Sequence, residues 1–454
     1  MKNVEWYLSV CSGNAAGAFF KRQEDLTPGE KQSGIFVDIA VDADTRFQEI
    51  DGFGASFTDS SAYLINQKLD AKTKEALLEK LFHPEKGIGL SFTRQPMGSS
   101  DFARTIYSFD DMPAGAEDFD LARFSIEHDT KDIIPLLKKA RELNPELFIM
   151  ASPWSPPGWM KTSGSMIGGS LRRECYNAYA EYFVKYIKAY EAEGLAVYAV
   201  TPQNEPLYIP GHYPGSGMDA VSQAAFIEQS LGPAFRRNGI TAKILCYDHN
   251  WDNADYAETV LGSGAAEYTA GTAWHWYGGD ASAQSAVREK FPNSEVYFTE
   301  GSGGEWIPPV TDAFMTIMVQ GIKVINHYGR SFVLWNMALD ETNGPVVPGF
   351  GRSTCRGLVT VNQATGELTY NLDYYALAHF SRFIRPGARR VFAENKGAVH
   401  AAACLNRDGT LVIVAANDDR GSKPVRFTVY GQRFNVELPG KSAGTWVVPP
   451  QAGP

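Results

Sequence analysis

Between residues 52 and 337 short apolar runs alternate with amphipathic stretches. The runs are GFGASFT (52–58), LSFTRQP (90–96), LFIMASP (147–153), AVYAVTP (196–202), AKILCYD (242–248), GTAWHWY (271–277), EVYFTEG (295–301) and SFVLWNM (331–337), eight in all. Segments between them, such as TKDIIPLLKKARELN and YNAYAEYFVKYIKAYEAEG, repeat apolar residues at spacings of three and four, which predicts helices; LDYYALAHFSRFI adds one after the eighth run. Strands apolar on both faces need helices outside and side chains inside, so eight strand-helix units predict an α/β fold closed as a (β/α)8 TIM barrel. The structural rival, an open doubly wound sheet, would more commonly carry a G-x-G-x-x-G turn after its first strand, and the chain has none.

The flanks follow a different period. From about residue 387 the chain shows short alternating runs, with Asp408-Gly409 reading as a hairpin turn. The N-terminal pieces NVEWYLSV and GIFVDIAVD alternate too and are too short to fold alone. These features predict three stretches: N-terminal strands at 1–45, the catalytic barrel at 46–386 and C-terminal strands at 387–454, the two outer stretches forming one discontinuous all-β sandwich side domain.

Charge and cysteine content narrow the partners. Forty-two basic against 52 acidic residues give a net charge of -10 with no basic block, which disfavours nucleic acid and anionic membranes. The five cysteines are scattered without a C-x-x-C pair and read as reduced, mostly buried thiols. The N-terminus shows no sustained apolar run and no segment approaches 18 apolar residues, so the expectation is a cytoplasmic protein without stable membrane insertion, a trimmed secreted chain being the alternative. Oligomeric state is not legible.

In a parallel barrel chemistry gathers where the strands end. The eight runs lead into Thr58-Asp59; Arg94 through Asp101; Trp154 and Trp159; Asn204-Glu205; Tyr247, Asp248 and His249; His275, Trp276 and Tyr277; Glu300; and Trp335-Asn336. Carboxylates, amides and indoles with few bases suit a neutral, hydroxyl-rich ligand, because aromatic faces lie against sugar rings while polar groups bond their hydroxyls. Glu205 and Glu300, on nonadjacent strands, suggest glycoside hydrolysis. There one carboxyl protonates the leaving oxygen while the other attacks the anomeric carbon, at a separation of about 5 to 5.5 Å, or activates water, at about 6.5 to 9.5 Å. Negative charge on Glu300 should keep the proton on Glu205, and Pro206, lacking an N–H, should stop the strand that carries Glu205.

Other readings compete with these. Asp59 could serve only as a helix N-cap, Trp154 and Trp335 as core, and Arg94 as a structural ion-pair partner. His212, His249 and His275 lack a metal-ligand spacing, so neither metal nor cofactor is expected; a metal-dependent hydrolase would be inhibited by EDTA. Gly440 to Gly444 forms a G-x-S-x-G string that no histidine follows, and it reads as a turn. A silent carbohydrate-binding barrel would need neither glutamate.

The strings FQEIDGFGASFTDSSA, FTRQPMGSSDFA, ASPWSPPGWMKT, TPQNEP, WHWY, YFTEGSGG and VLWNMALD, in this order, resemble glycoside hydrolase family 30, especially its glucosylceramidase-like branch, from about residue 46 to 395. The resemblance implies a retaining exo-β-glycosidase that cleaves β-glucosides by double displacement, with Glu205 as acid/base and Glu300 as nucleophile. Asn204 would bond the sugar 2-hydroxyl, and Asp59, Trp154 and Trp335 would hold the nonreducing-end sugar. His275 and Tyr277 would wall the nucleophile, Arg94 would pair with Glu300, and Tyr247 is counted with them as a sugar contact. The substrate would be a small β-glycoside or an oligosaccharide; β-1,6-glucan, β-xyloside and β-fucoside are the alternatives. The absence of a leader puts a ceramide substrate in doubt, and ETNGPVVPGFGRSTCRG and NEPLYIPGHYPGSGMD are the expected aglycone-side loops.

Overall fold

The computed structural model describes residues 3–11, 18–29, 34–307 and 310–451. Three N-terminal strands, β1 (Glu5–Val10), β2 (Ala18–Arg22) and β3 (Val37–Glu49), precede the barrel. The barrel strands are β4 (Gly52–Ser56), β5 (Phe92–Pro96), β6 (Phe148–Ser152), β7 (Val197–Val200), β8 (Lys243–Asn250), β9 (Thr269–His275), β10 (Glu295–Glu300) and β11 (Gly329–Asn336). They pair in parallel and close, β11 lying beside β4. All eight predicted runs are barrel strands.

Inside the barrel, Phe92, Met150, Ala199, Leu245, Ala273, Tyr297 and Val333 form one buried plug. Large side chains such as Phe92 and Tyr297 share it with the small Ala199 and Ala273, and Phe92 touches Phe148, Tyr198 and Tyr297 edge to face or tilted. Truncating Phe92 would open a cavity and cost about 3–5 kcal/mol. Outside, helices bury their apolar stripes against the strands. In Ala71–Phe82, for example, Asp70 caps the first turn by accepting from the Thr73 N–H at 2.9 Å, Leu77, Leu78, Leu81 and Phe82 are buried, and the helix stops just before His83-Pro84.

After β11 come a small sheet of β12 (Ala338–Asp340), β13 (Val359–Val361) and β14 (Leu368–Tyr370), and then β15 (Arg389–Ala393), β16 (Val399–Leu405), β17 (Leu411–Asn417), β18 (Lys423–Val429), β19 (Gln432–Leu438) and β20 (Ser442–Val448). The N- and C-terminal strands join in one nine-stranded sheet, ordered β19-β18-β3-β15-β16-β17-β20-β1-β2. It folds over its own apolar cluster, in which Trp6 stacks on Trp446 at 5.7 Å and Phe427 packs on Trp446 at 4.7 Å. The bend is at β3, whose pairing with β15 shifts register around Val391. The expected boundary at residue 45 falls inside β3, which runs on to Glu49 as one strand. Asp408-Gly409 lies in the β16–β17 hairpin, and Gly440 to Gly444 leads from β19 into β20 with no helix after it.

The other face of this sheet packs on the barrel. Ala402, Cys404, Val412 and Val414 belong to the barrel's own core cluster. Between the two layers His379 is fully buried, its ring nitrogens bonded to Ser9 Oγ at 2.7 Å and Thr445 Oγ1 at 2.9 Å, and burial pushes it down to about 3, so it stays neutral. Among the described residues no helix is long and apolar enough to cross a membrane.

Candidate active site

Glu300 is the last residue of β10, and Glu205 follows the end of β7 by a short turn. The ladder ends at Val200, well before Pro206, so the proline does not terminate the strand. Glu205 instead adopts φ +44°, a left-handed conformation that a non-glycine residue takes only when its surroundings hold it there. Its N–H donates to Asp248 O at 3.0 Å, and the Asn204 N–H donates to Pro153 O at 2.8 Å. The neighbouring strand β8 carries a bulge: Tyr247 and Asp248 have φ +76° and +66°, and pairing with β9 shifts between Tyr247 and His249.

With the bulge, the Asp248 carboxylate sits fully buried among donors. It accepts from Arg94 Nη2 at 2.8 Å, Ser152 Oγ, Thr201 Oγ1 and Thr299 Oγ1 each at 2.7 Å, and it contacts His275 Nε2 at 3.0 Å. Arg94 and these bonds hold its carboxyl well below the usual range. From Asp248 two branches reach the glutamates. Arg94 donates through Nη1 to Glu300 Oε2 at 2.7 Å and through Nη2 to Asn204 Oδ1 at 2.7 Å. His275 Nδ1 lies 3.3 Å from Glu205 Oε1 and 3.9 Å from Glu300 Oε1. Tyr277 donates its O–H to Glu300 Oε1 at 2.9 Å.

One carboxylate oxygen of Glu205, one of Glu300 and one nitrogen of His275 lie within 4.8 Å of one another. Two buried carboxyls this close titrate as a unit: one step falls below the ordinary glutamate value and the other rises above it, neither belonging to one residue alone. Burial and mutual repulsion raise the upper step. Residue by residue, His275 pulls Glu205 down and burial pushes Glu300 up, the reverse of the sequence expectation. The donor pattern favours the opposite placement: Glu300 accepts two short bonds, from Arg94 and Tyr277, whereas Glu205 has only the longer contact to His275. Between the two stands His275, whose imidazole is pushed up to about 9 by the surrounding carboxylates despite its burial. A proton on His275 Nδ1 and a proton on Glu205 Oε1 are the same charge count, 3.3 Å apart.

A cavity of about 320 Å³ opens over the pair, lined by Asp101, Trp154, Asn204, Tyr208, Tyr213, His249, Asn250, Tyr277, Ser302, Trp306, Trp335 and Cys355 together with Glu205 and Glu300. Trp154 and Trp335 stack at 4.7 Å and 15°, each 3 % exposed, with the Arg94 guanidinium 4.8 Å from the Trp154 ring centre. Glu205, Glu300, Asn204, Trp154, Trp335 and Tyr277 thus meet at one cavity, as the sequence order of strand ends suggested.

Four residues expected to touch sugar sit elsewhere. Asp59 lies beneath the rim, bonded by Arg104 Nη2 at 2.8 Å and Nε at 2.9 Å, with His128 Nε2 at 2.9 Å. It is not the N-cap either; Thr58 Oγ1 takes that place, accepting from the Ser61 N–H. Tyr247 is turned away by the bulge into the outer core, where its O–H donates to Asn250 O at 2.6 Å. Arg94 and His275 are wholly buried behind the glutamates and act on them, outside the cavity lining.

The acid at the cavity is Asp101, whose Oδ1 is buried without a partner and whose carboxyl is pushed up to about 8 by burial and by Glu300. Asp101, Asp248 and His249 were visible as polar strand-end residues, but nothing in the sequence ranked them. Cys355, expected among the buried thiols, is half-buried at the cavity, and burial of its sulfur pushes it up to about 12, so it stays a thiol. As for a cation, Glu205, His275 and Glu300 converge closely enough to offer ligands, but both His275 nitrogens already face carboxylates and Arg94 already balances Glu300.

The family models for the glycosyl hydrolase family 30 TIM-barrel domain and beta sandwich domain match residues 50–384 and 387–446. An endo-1,6-beta-D-glucanase, BGN16.3 of Trichoderma harzianum, is 32% identical over 426 residues, covering 88% of this chain and 84% of that protein. The lysosomal acid glucosylceramidase of Mus musculus is 32% identical over 435 residues, covering 90% and 82%. The solved endo-beta1,6-glucanase BT3312 superposes with a TM-score of 0.88 at 29% identity, covering 99% of this chain and 100% of that one.

Proposed function

The chain belongs to glycosyl hydrolase family 30, and from that premise we propose that it hydrolyses β-glucosidic bonds with retention, releasing glucose from the end of a β-1,6-linked gluco-oligosaccharide or glucan. The observation that carries retention is the approach of the Glu205 and Glu300 carboxylates to within 4.8 Å, which suits direct attack on carbon, at about 5 to 5.5 Å, and leaves no room for an intervening water. The β-1,6 linkage is supported by relatives named endo-1,6-beta-D-glucanases. Action at a chain end is supported by the Trp154–Trp335 stack in the cavity lining, each ring 3 % exposed and so with little free face for a further sugar.

In the first displacement, Glu300 attacks the anomeric carbon while Glu205 gives its proton to the glycosidic oxygen; the carbon–oxygen bond breaks and the aglycone leaves as an alcohol. In the second, Glu205 takes a proton from water, whose oxygen bonds to the anomeric carbon and frees Glu300. Arg94 and Tyr277 keep Glu300 ionised before attack. Asn204, oriented by Arg94, is placed to bond the 2-hydroxyl, and the unpartnered Asp101 oxygen supplies an acceptor for a sugar hydroxyl. Once Glu300 is esterified its charge is gone, and Glu205 holds its proton less tightly, as a general base must.

The test is hydrolysis of aryl β-glycosides and gentio-oligosaccharides by wild type, Glu205→Ala and Glu300→Ala, with azide present. Glu300→Ala should lose on the order of 10⁴-fold or more in kcat. Glu205→Ala should keep substrates with good leaving groups, be accelerated by azide and yield the β-glycosyl azide. An α-azide would rule out retention, and wild-type turnover by Glu300→Ala would rule out the nucleophile.

A further inference from the structure

Where the side-domain sheet meets the barrel there is a second cavity, of about 530 Å³, that shares no residue with the catalytic one. Lys323 and His327 reach it from the end of the barrel helix Val310–Asn326 and the residue after it, and Arg390, Phe392, Glu394 and His400 reach it from β15, β16 and the turn between them. Its basic side chains are scattered along the sequence, so no basic block announces them. The last carbonyls of the helix, which would repel an anion, are already occupied: Gln48 Nε2 donates to Ile325 O at 2.7 Å and Gln284 Nε2 to His327 O at 2.8 Å.

Arg390 is only 8 % exposed, yet among the described residues its guanidinium has neither an ion pair nor a hydrogen bond. Arg94, Arg330 and Arg356, by contrast, each hold a buried or half-buried carboxylate. The face of the Arg390 guanidinium is covered, its Cζ lying 3.8 Å from the ring centre of Phe47 and 5.9 Å from that of Tyr328. Stacking of this kind uses the flat face and none of the in-plane N–H donors. Nε is sealed, whereas the two Nη nitrogens stay open to the cavity. The acids nearby are engaged elsewhere: Glu394 accepts from the Ala40 N–H at 3.0 Å and pairs with Lys396 at 3.2 Å, Asp280 pairs with Lys323 at 2.8 Å, and Asp418 pairs with Lys441 at 2.8 Å. His327 bonds Ser285 Oγ through Nδ1 at 2.8 Å, which leaves its Nε2 over, and His400 has no partner among the described residues. A cation this deep without a counter-charge costs stability unless something anionic meets it.

We propose that this cavity is an oxyanion site that takes a phosphate group, free or as a phosphomonoester, with Arg390 as its anchor and Lys323, His327 and His400 as further donors. The open Nη edge of Arg390 matches two oxygens of such a group. A carboxylate would use that edge alone and leave the lysine and the imidazoles idle, which favours the tetrahedral anion. Phe392, 40 % exposed on the cavity wall, offers a face to the body of an ester. Because the barrel supplies Lys323 and His327 and the sheet supplies Arg390 and His400, a bound phosphate bridges the two units and stabilises the folded chain.

The experiment is isothermal titration and thermal unfolding of the full chain at neutral pH with inorganic phosphate, phenyl phosphate and acetate, sodium chloride holding the ionic strength constant. Wild type should bind one of the two phosphates with a Kd of about 1 mM or tighter, and saturation should raise Tm by about 2 °C or more over chloride. Tighter binding of phenyl phosphate assigns the site to an ester, and equal binding assigns it to free phosphate. Arg390→Met should lose affinity about tenfold or more together with the rise in Tm. In chloride the same variant should be no less stable than wild type, because methionine keeps an apolar stem against Phe47 and removes an unpaired buried charge; an arginine that served only the fold would be missed there. His400→Ala, a half-buried position that carries the test if Arg390→Met does not fold, should weaken phosphate about threefold or more. A wild type that responds no more to phosphate than to chloride, an equal response to acetate, or undiminished phosphate affinity in the folded variants would overturn the assignment.

Discussion

Both mouths of the barrel hold networks of charged side chains, and they are organised in opposite ways. At the N-terminal mouth Asp51 and Glu295 face Arg330 and Lys243, two acids against two bases. Arg330 Nη2 and Nε grip Asp51 at 2.7 and 3.1 Å, and Lys243 Nζ bonds Glu295 Oε2 at 2.6 Å and the Tyr198 and Tyr297 hydroxyls at 2.7 and 2.9 Å. None of these side chains has a buried atom without a partner. At the C-terminal mouth Glu205, Asp248 and Glu300 share Arg94 and His275, Asp101 lies beside them outside these ion pairs, and Asp101 Oδ1, Arg94 Nε, His249 Nδ1 and Asn250 Oδ1 are left unpaired. A network that serves stability closes on itself, while one that serves chemistry keeps excess charge and unfilled bonding capacity for a substrate. Left-handed non-glycine backbone occurs at both mouths, at Glu205, Tyr247 and Asp248 on the C-terminal side and at Tyr328 just before β11 on the other.

The contrast is sharpest at Asp248, the buried group on which both glutamates depend. Asp248→Asn keeps the shape but removes the charge that orients Arg94 and His275, and should lower kcat by on the order of 10²-fold or more. It should also move the alkaline limb of the kcat/KM profile to lower pH, because Asp248 is one of the groups raising His275. The same shift acts on stability. A histidine at about 9 in the folded protein and about 6.5 when unfolded contributes stability that is complete below the unfolded value and lost as pH rises through the folded one. The variant should therefore show less loss of stability between neutral and alkaline pH than wild type. A plain loss of fold with an unshifted profile would remove Asp248 from the mechanism.

Asp51→Ala is the counterpart at the closed network. Stranding Arg330 should cost about 3 kcal/mol of stability, read by denaturant unfolding, while kcat/KM per folded molecule on an aryl β-glucoside stays within about twofold. If activity fell with stability, the two mouths would be coupled and the contrast would not hold. The smallest effect is expected from Asp59→Asn. With Arg104 and His128 around it and no place in the cavity, Asp59 should matter by about 1–2 kcal/mol in stability and hardly at all in KM for glucosides. A large rise in KM would restore it as a sugar contact. In Asp101→Asn, by contrast, the KM rise should be severalfold.

The sequence by itself determined the barrel. Eight apolar runs alternating with amphipathic segments admit few other closed packings, and the glutamates lie at strand ends because that is where inner strands meet solvent. It also determined the pairing of the chain's two ends, since alternating strands too short to bury a face alone must share one. It did not determine which polar strand-end residue faces the cavity. Tyr247 and Asp248 are neighbours that the tyrosine was expected to speak for, and a bulge of one residue, held by a left-handed backbone, put the aspartate inside and the tyrosine outside. Asp59 and Asp101 differ in the same way: both are acids near the strand ends, but Arg104, from the loop that carries Asp101, claims Asp59 and leaves Asp101 with an empty oxygen. Side-chain direction at a strand end depends on bulges and on partners brought from distant segments, and those exist only once the chain has closed on itself.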